Sequence, residues 1–176
     1  SAEFPARFQL IAAMNPCPCG YAGQVRIPGQ QGPVCRCTPD QIHRYASKVS
    51  GPLLDRIDLH IEVPSQNAAH LINAPIGDST AVLKARCHRA RNLAMARQGC
   101  PNQSLGGPSL DHHTALDDNA KAYITQVAQH FAWSGRSTHR VLKIARTIAD
   151  LADSLPIETQ HIAEAVQYRR PVVGHR

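Results

Sequence analysis

Ser134-Gly-Arg-Ser-Thr-His-Arg-Val-Leu-Lys-Ile-Ala-Arg-Thr-Ile-Ala-Asp-Leu151 is the stretch on which the fold reading turns. Val141, Ile144, Ala145, Ile148 and Leu151 or Ala152 recur at the three- and four-residue spacing that lines one side of an α-helix. Such a helix must bury that side against other elements. Ser134 offers the hydroxyl of an N-cap. Arg136, Arg140 and Lys143 fall in a narrow sector of their own, away from the apolar stripe. A cation in the first turn opposes the helix dipole, so helix propensity does not account for Arg136. A solvated basic face or an anionic ligand would.

Outward from this helix the pattern stays helical. Residues 116–131 and 157–169 read as two more helices, and a stretch rich in Ala, Leu and Arg at 79–97 reads as another. Between them, residues 99–108 carry Pro, Asn and several Gly or Ser breakers and read as a linker. Toward the N-terminus the character changes. Ile57-Asp-Leu-His-Ile-Glu-Val63 alternates apolar and polar residues, as a half-buried strand does. Arg7-Phe-Gln-Leu-Ile-Ala-Ala-Met14 is nearly continuous apolar sequence, which suits a strand covered on both faces. Thr38-Pro39-Asp40 starts a helix that should run to about Val49 and stop before Ser50-Gly51-Pro52. The expected organisation is an α/β remnant over residues 1–65 (two strands, a cysteine loop and one helix), followed by an all-α domain over 66–176.

Cys17-Pro-Cys19-Gly20 and Cys35-Arg-Cys37 are two CxC pairs separated by Gly, Pro and Gln. Four thiolates satisfy a tetrahedral Zn2+ completely and make a closed structural site. The loop between them has too little apolar sequence to form its own core, and a metal would supply what burial does not. Disulfides, redox chemistry and inert thiols are the alternatives. Cys87 and Cys100 read as ordinary thiols.

The chain has 176 residues, 43% of them apolar, and a formal net charge of +6, which favours anionic partners such as nucleic acid. Its apolar runs are too short to span a bilayer. No charged-then-apolar leader opens it, and this reads as cytoplasmic. Ser1 is followed within a few residues by strand-like sequence, as expected for a piece of something longer.

Two further residues stand out. Asn15 follows a buried strand, where an amide can reach a water or phosphate oxygen at the mouth of a parallel sheet. Arg56 lies between Asp55 and Asp58 in Ser50-Gly-Pro-Leu-Leu-Asp-Arg-Ile-Asp58. It is either a structural ion-pair partner or an arginine finger directed at a neighbouring subunit's γ-phosphate. The sequence contains no GxxxxGK[ST] and no apolar run ending in adjacent acids, so it has neither a phosphate cradle nor a magnesium ligand of that kind. Alone it should neither bind ATP tightly nor hydrolyse it.

Phe8-Gln-Leu-Ile-Ala-Ala-Met-Asn-Pro-Cys-Pro-Cys-Gly20, Cys35-Arg-Cys-Thr-Pro39, the 50–58 segment and the 134–151 helix follow one another in an order and spacing that resembles the C-terminal half of magnesium-chelatase-like AAA+ ATPases of the ComM (YifB) type. The resemblance covers essentially the whole chain. The chelatase subunit itself and the replicative MCM helicases are similar at greater distance. The resemblance implies an AAA+ core remnant followed by a helical lid. It puts Asn15 at sensor 1, Arg56 at the arginine finger and Arg136 at sensor 2, with Arg140 beside the nucleotide. It further implies ATP and Mg2+ as cofactors of the complete protein, a hexameric ring around DNA, and branch migration of the kind ComM drives in natural transformation. Zinc on the cysteines would be a local staple, because the family's cysteine loop varies.

A freestanding zinc-dependent nucleic-acid-binding module is the rival reading, with the CxC loop as a finger and the Arg136 helix as a basic stripe. Aromatic residues make up only 5% of the chain, which leaves little for base stacking. His112, His113 and His139 form no recognisable metal or triad pattern.

Overall fold

The computed structural model of the chain describes residues 8–24, 32–64, 66 and 72–169. Backbone contacts divide the chain into two compact units, residues 1–50 with 172–176 and residues 51–171.

In the first unit, residues 8–15 lead without regular secondary structure into the cysteine loop, and α1 (Pro39–Ala46) follows. Thr38 caps α1 as expected. Its hydroxyl accepts from the Gln41 N–H, and the Gln41 side chain accepts in turn from the Thr38 N–H. This reciprocal pair satisfies two donors that the first turn would otherwise leave bare. The helix ends at Ala46, a little short of the expected Val49.

Among its described residues, the regular elements of the second unit are helices. It contains α2 (Gly51–Arg56), α3 (Thr80–Gln98), a 3-10 turn (Asn102–Ser104), α4 (Pro108–His113), α5 (Asp118–His130), α6 (Gly135–Leu151) and α7 (Thr159–Gln167). Side-chain caps at Ser79, Asp117 and Ser134 set the starts of α3, α5 and α6. Gly99, in the left-handed region at φ 72°, ends α3 and donates its N–H to the Met95 carbonyl. Helix α6 is central and packs on α7, α3, α4 and the 3-10 turn. Its core is built from Ala120 and Ile124 of α5, Val141, Ala145 and Ala149 of α6, and Ile162, Ala165 and Val166 of α7, with Ile157 ahead of α7. Ala90 and Ala94 are the buried residues of α3. So many alanines at contact points let helix axes approach closely, at the short end of the usual spacing.

Three expectations change. Neither expected strand, 7–14 or 57–63, is found: among the described residues there is no strand, only an isolated parallel bridge between Leu116 and Ile157. A strand is held by a neighbour's backbone groups, and here those neighbours are lacking. The apolar run is open to solvent instead of covered on both faces, with Phe8 77% and Ile11 85% exposed. Second, the expected 99–108 linker is packed, since Asn102 and Leu105 are buried. Third, the buried side of α6 is rotated and wider than the apolar stripe. Ser137, Val141, Ala145, Arg146, Ala149 and Asp150 are buried, whereas Ile144, Ile148 and Leu151 are only half-buried.

Arg146 and Asp150 are buried because they belong to a closed polar network. Asp150, 2% exposed, accepts from Arg97 Nη1 at 2.6 Å and Nη2 at 2.9 Å, and from Asn102 Nδ2 at 2.8 Å. It also accepts from Arg146 Nε at 3.2 Å. Arg146 spends its other nitrogens on the Leu155 and Ser154 carbonyls, both at 2.6 Å. Burial alone would raise the Asp150 pKa. The Arg97 and Asn102 hydrogen bonds and the charges of Arg146 and Arg97 more than reverse this, and hold the carboxyl below its ordinary 3.8. Removing one member of a buried ion network leaves the others unpaired, so Asp150→Ala should cost about 3–5 kcal/mol in urea unfolding. Because the folded pKa is depressed, the carboxylate's contribution is fully present above the unfolded value and is lost as pH falls through the folded one. Acid unfolding followed by circular dichroism should accordingly be less steep in Asp150→Asn than in the parent chain.

Candidate functional site

The cysteine loop folds around sulfur. Cys17 is fully buried, Cys19, Cys35 and Cys37 are half-buried, and all four Sγ atoms lie within 4.8 Å of one another. Cys17 and Cys19 are 3.3 Å apart, Cys19 and Cys35 3.5 Å, and Cys17 and Cys35 3.8 Å. A tetrahedral ion about 2.3 Å from each sulfur needs sulfurs roughly 3.8 Å apart, so the donor set and its spacing fit a Zn2+ tetrathiolate. The local chain is built for this. Gly20 donates its N–H to the Cys17 carbonyl at 3.0 Å, closing a tight turn, and Ala22 donates to the Cys17 sulfur at 3.4 Å. Gly20 sits at φ +84°, a conformation that disfavours any side chain. On the other side, Cys37 directly precedes the Thr38 cap, so α1 anchors the second pair.

The four thiols titrate apart. Backbone N–H groups of Tyr21 and Arg36 lower Cys19 to about 6. At Cys37 the Cys19 N–H acts downward, but desolvation and the neighbouring sulfurs push the thiol up to about 12. Charge on one sulfur raises the cost of ionising its neighbours, which is the repulsion a divalent cation relieves.

Asn15 is exposed at the head of this loop. A methyl group placed on Gly20 would lie 3.8 Å from Asn15 Nδ2, so the side-chain amide is a near neighbour of Gly20. Among the described residues it has no hydrogen-bond partner.

Arg56, Arg136 and Arg140 belong to the helical unit. Arg56 ends α2, is exposed, and makes a single long hydrogen bond, 3.4 Å to the Pro52 carbonyl. Its flanking acids are both taken by other arginines. Asp55 meets Arg169 Nη2 at 3.4 Å, and Asp58 meets Arg140 Nη1 at 3.2 Å. Arg169 also donates to the Ile57 carbonyl at 2.6 Å, and the His60 N–H donates to the Tyr168 carbonyl at 2.8 Å. Residues 55–60 are thereby pinned against α6 and the end of α7. The Arg140 nitrogen that faces Asp58 is buried without hydrogen-bond alignment, so that contact is electrostatic only. Burial and the charge of Arg140 lower the pKa of Arg169.

The basic sector of α6 therefore divides. Arg140 is held by Asp58, and Lys143 donates to the Gln103 carbonyl at 3.0 Å. Arg136, in the first turn beyond the Ser134 cap, is exposed and has no partner among the described residues. The sequence did not point to Arg169, which decides how Arg56 is presented. Its only signal is a cation at the end of the last helix, where a helix dipole favours one.

Arg169→Ala removes the clamp on the Ile57 carbonyl and on Asp55. The His60 amide should then exchange with solvent roughly ten-fold faster or more, read by hydrogen-exchange NMR, while amides of α6 keep their protection.

The family model of magnesium chelatase subunit ChlI matches residues 1–71, and that of the ChlI C-terminal region matches residues 77–169. The uncharacterized protein YifB of Escherichia coli is 40% identical over 167 residues, covering 94% of this chain and 31% of that protein. The competence protein ComM of Haemophilus influenzae is 38% identical over 171 residues, 97% of this chain and 32% of ComM. An uncharacterized protein of Mycobacterium tuberculosis is 32% identical over 172 residues. The chain spans about a third of the length of these relatives. Its two matched regions, in order and nearly end to end, make it a member of the magnesium chelatase ChlI family, of the YifB and ComM kind.

Proposed function

We propose that this chain is part of a ring-forming AAA+ ATPase whose nucleotide is held largely by residues outside it, and that it supplies three of the groups that act on that nucleotide. Asn15 orients the attacking water as sensor 1. Arg56 crosses to the neighbouring subunit as the arginine finger. Arg136 contacts the nucleotide of its own subunit as sensor 2, with Arg140 behind it holding the 55–60 segment through Asp58. ATP and Mg2+ belong to the complete protein. The ring acts on DNA, in remodelling or branch migration in the cytoplasm, a reading supported by the net charge of +6 and by similarity to a protein named for competence. No described helix is long and apolar enough to cross a membrane.

One observation carries the reading. Arg56 sits between two acids, yet each acid is paired to a different arginine, so Arg56 stays exposed with its charge uncompensated. A structural ion pair, the plainer account of this arginine, would have consumed one of those acids. Exposed apolar side chains at Phe8, Leu10, Ile11, Ile61 and Val63 support the larger assembly, in which residues 7–14 and 57–63 are strands of a sheet completed by absent sequence. Residues 1–65 then belong to the ATPase core and 66–176 to its lid. The four cysteines hold a structural Zn2+ that staples the loop. The alternative of a freestanding nucleic-acid-binding zinc module has no comparable observation in its favour.

The test uses the full-length protein. Arg56→Ala should lower the ATPase kcat by about 10³-fold or more, within the range for arginine fingers, while ATP still binds. The 176-residue chain alone should show no measurable turnover. Normal hydrolysis by Arg56→Ala and Arg136→Ala rings would remove both assigned roles.

A further inference from the structure

The cysteine cluster and Asn15 are joined by more than sequence. Asn15 lies two residues before Cys17, and its side chain comes within contact distance of the Cβ position of Gly20 in the Cys17–Gly20 turn. The turn is closed by the Gly20 N–H on the Cys17 carbonyl at 3.0 Å, and Cys17 is fixed by the Ala22 N–H on its sulfur. Gly20 adopts φ +84°, which disfavours a side chain, and the position its Cβ would take lies 3.8 Å from Asn15 Nδ2, an ordinary contact distance. The rest of the amide faces solvent and has no hydrogen bond among the described residues. No hydrogen bond among the described residues orients it, and the shape of the neighbouring turn depends on where Cys17 and Cys19 are held.

We propose that the metal bound by Cys17, Cys19, Cys35 and Cys37 is a positioning element for Asn15: closing the tetrathiolate locks the Cys17–Gly20 turn, and the locked turn presents the Asn15 carboxamide in one orientation. This rests on the zinc reading above and deepens it. The metal does no chemistry of its own. It is coordinatively closed, and its effect passes through a backbone turn to a side chain that would otherwise sample several rotamers. An amide that must align a water benefits because its orientation is settled before substrate arrives. The cluster would then matter to the nucleotide site without touching it. A relative lacking the cysteines would need another device at the same turn.

The experiment uses the 176-residue chain, stripped of metal under reducing conditions and titrated with Zn2+ alone. The side-chain NH2 resonances of Asn15, assigned by their loss in Asn15→Ala, are followed by 15N NMR. Those of Asn102, in the helical unit, serve as internal reference. With one equivalent of Zn2+, the Asn15 pair should shift away from the position of a freely rotating amide and gain a nuclear Overhauser contact to the Gly20 α-protons. Both should vanish on chelation, and Asn102 should not move. Cys37→Ser should bind Zn2+ more weakly and lose the contact at a Zn2+ level that preserves it in the parent. Gly20→Ala should bind Zn2+ but give a shifted Asn15 pair. Stoichiometric binding with an unchanged Asn15 pair would overturn the positioning role and leave the zinc site standing. Failure of the chain to bind Zn2+ at all, judged by elemental analysis and Co2+ substitution, would remove both.

Discussion

One buried carboxylate organises the helical unit. Asp150 takes hydrogen bonds from α3 through Arg97, from the 3-10 turn through Asn102, and from its own helix through Arg146. Arg146 then passes the constraint on by binding the carbonyls of Ser154 and Leu155, which fixes the turn between α6 and α7. That turn delivers Ile157 into the core and into its bridge with Leu116 at the entrance to α5. The network matters because the apolar core is assembled from small side chains. Alanine contributes little buried area, so hydrophobic burial alone would tolerate several helix arrangements of similar energy. A charged group that is ruinous to bury unpaired admits far fewer. Full pairing is what makes it tolerable: each partner the carboxylate needs is supplied from a different element, and all of them must be in place together.

A rigid α6 has consequences at its other end. Its C-terminal half is locked by Arg146 and Asp150, and a helix transmits that position along its axis to Arg136 and Arg140. Arg140 holds Asp58, and Arg169 holds Asp55 and the Ile57 carbonyl. The segment carrying Arg56 is thus attached to the same scaffold as Arg136, although the two are about eighty positions apart in the chain. These contacts are partly exposed and individually weak. Their value is geometric, since three of them bear on four consecutive residues, 55–58.

How much of this could be read from the sequence depended on how local the cause was. Helices α3, α5, α6 and α7 were visible because side-chain spacing and caps such as Ser79, Asp117 and Ser134 act within a turn or two. The cysteine site was visible because two CxC pairs have few other uses. The strands failed because a strand exists only with a neighbour, and alternation in residues 57–63 says nothing of whether one is present. The linker at 99–108 failed for a related reason. Asn102 looks like a loop residue until Asp150, 48 positions away, accepts its amide. Arg146 and Asp150 are buried off the apolar stripe because their partners, Arg97, Asn102 and the Ser154 and Leu155 carbonyls, come from other segments, which helical spacing does not reveal. Asn15, Arg56 and Arg136 stood out as residue types in odd settings, but the sequence did not show that the acids beside Arg56 were already engaged.

Engagement of those acids by other arginines changes what the 55–58 segment presents. Read locally, two carboxylates around one guanidinium form a self-neutralising cluster with nothing to offer a ligand. Arg140 and Arg169 alter the sum by answering the acids from outside, the latter from 114 positions away. Each acid becomes an anchor, and the arginine between them keeps its charge and its donors. The acids therefore anchor the backbone around Arg56 without binding its guanidinium, whose own hydrogen bond is the long one to the Pro52 carbonyl. That combination would suit a guanidinium to an incoming anion, because a mobile arginine loses side-chain entropy on binding and a paired one must first break its own ion pair. The same division of labour appears at Asn15, whose polar atoms are unspent while the turn beside it is heavily constrained. In both places the fold engages the neighbours and leaves the polar side chain exposed.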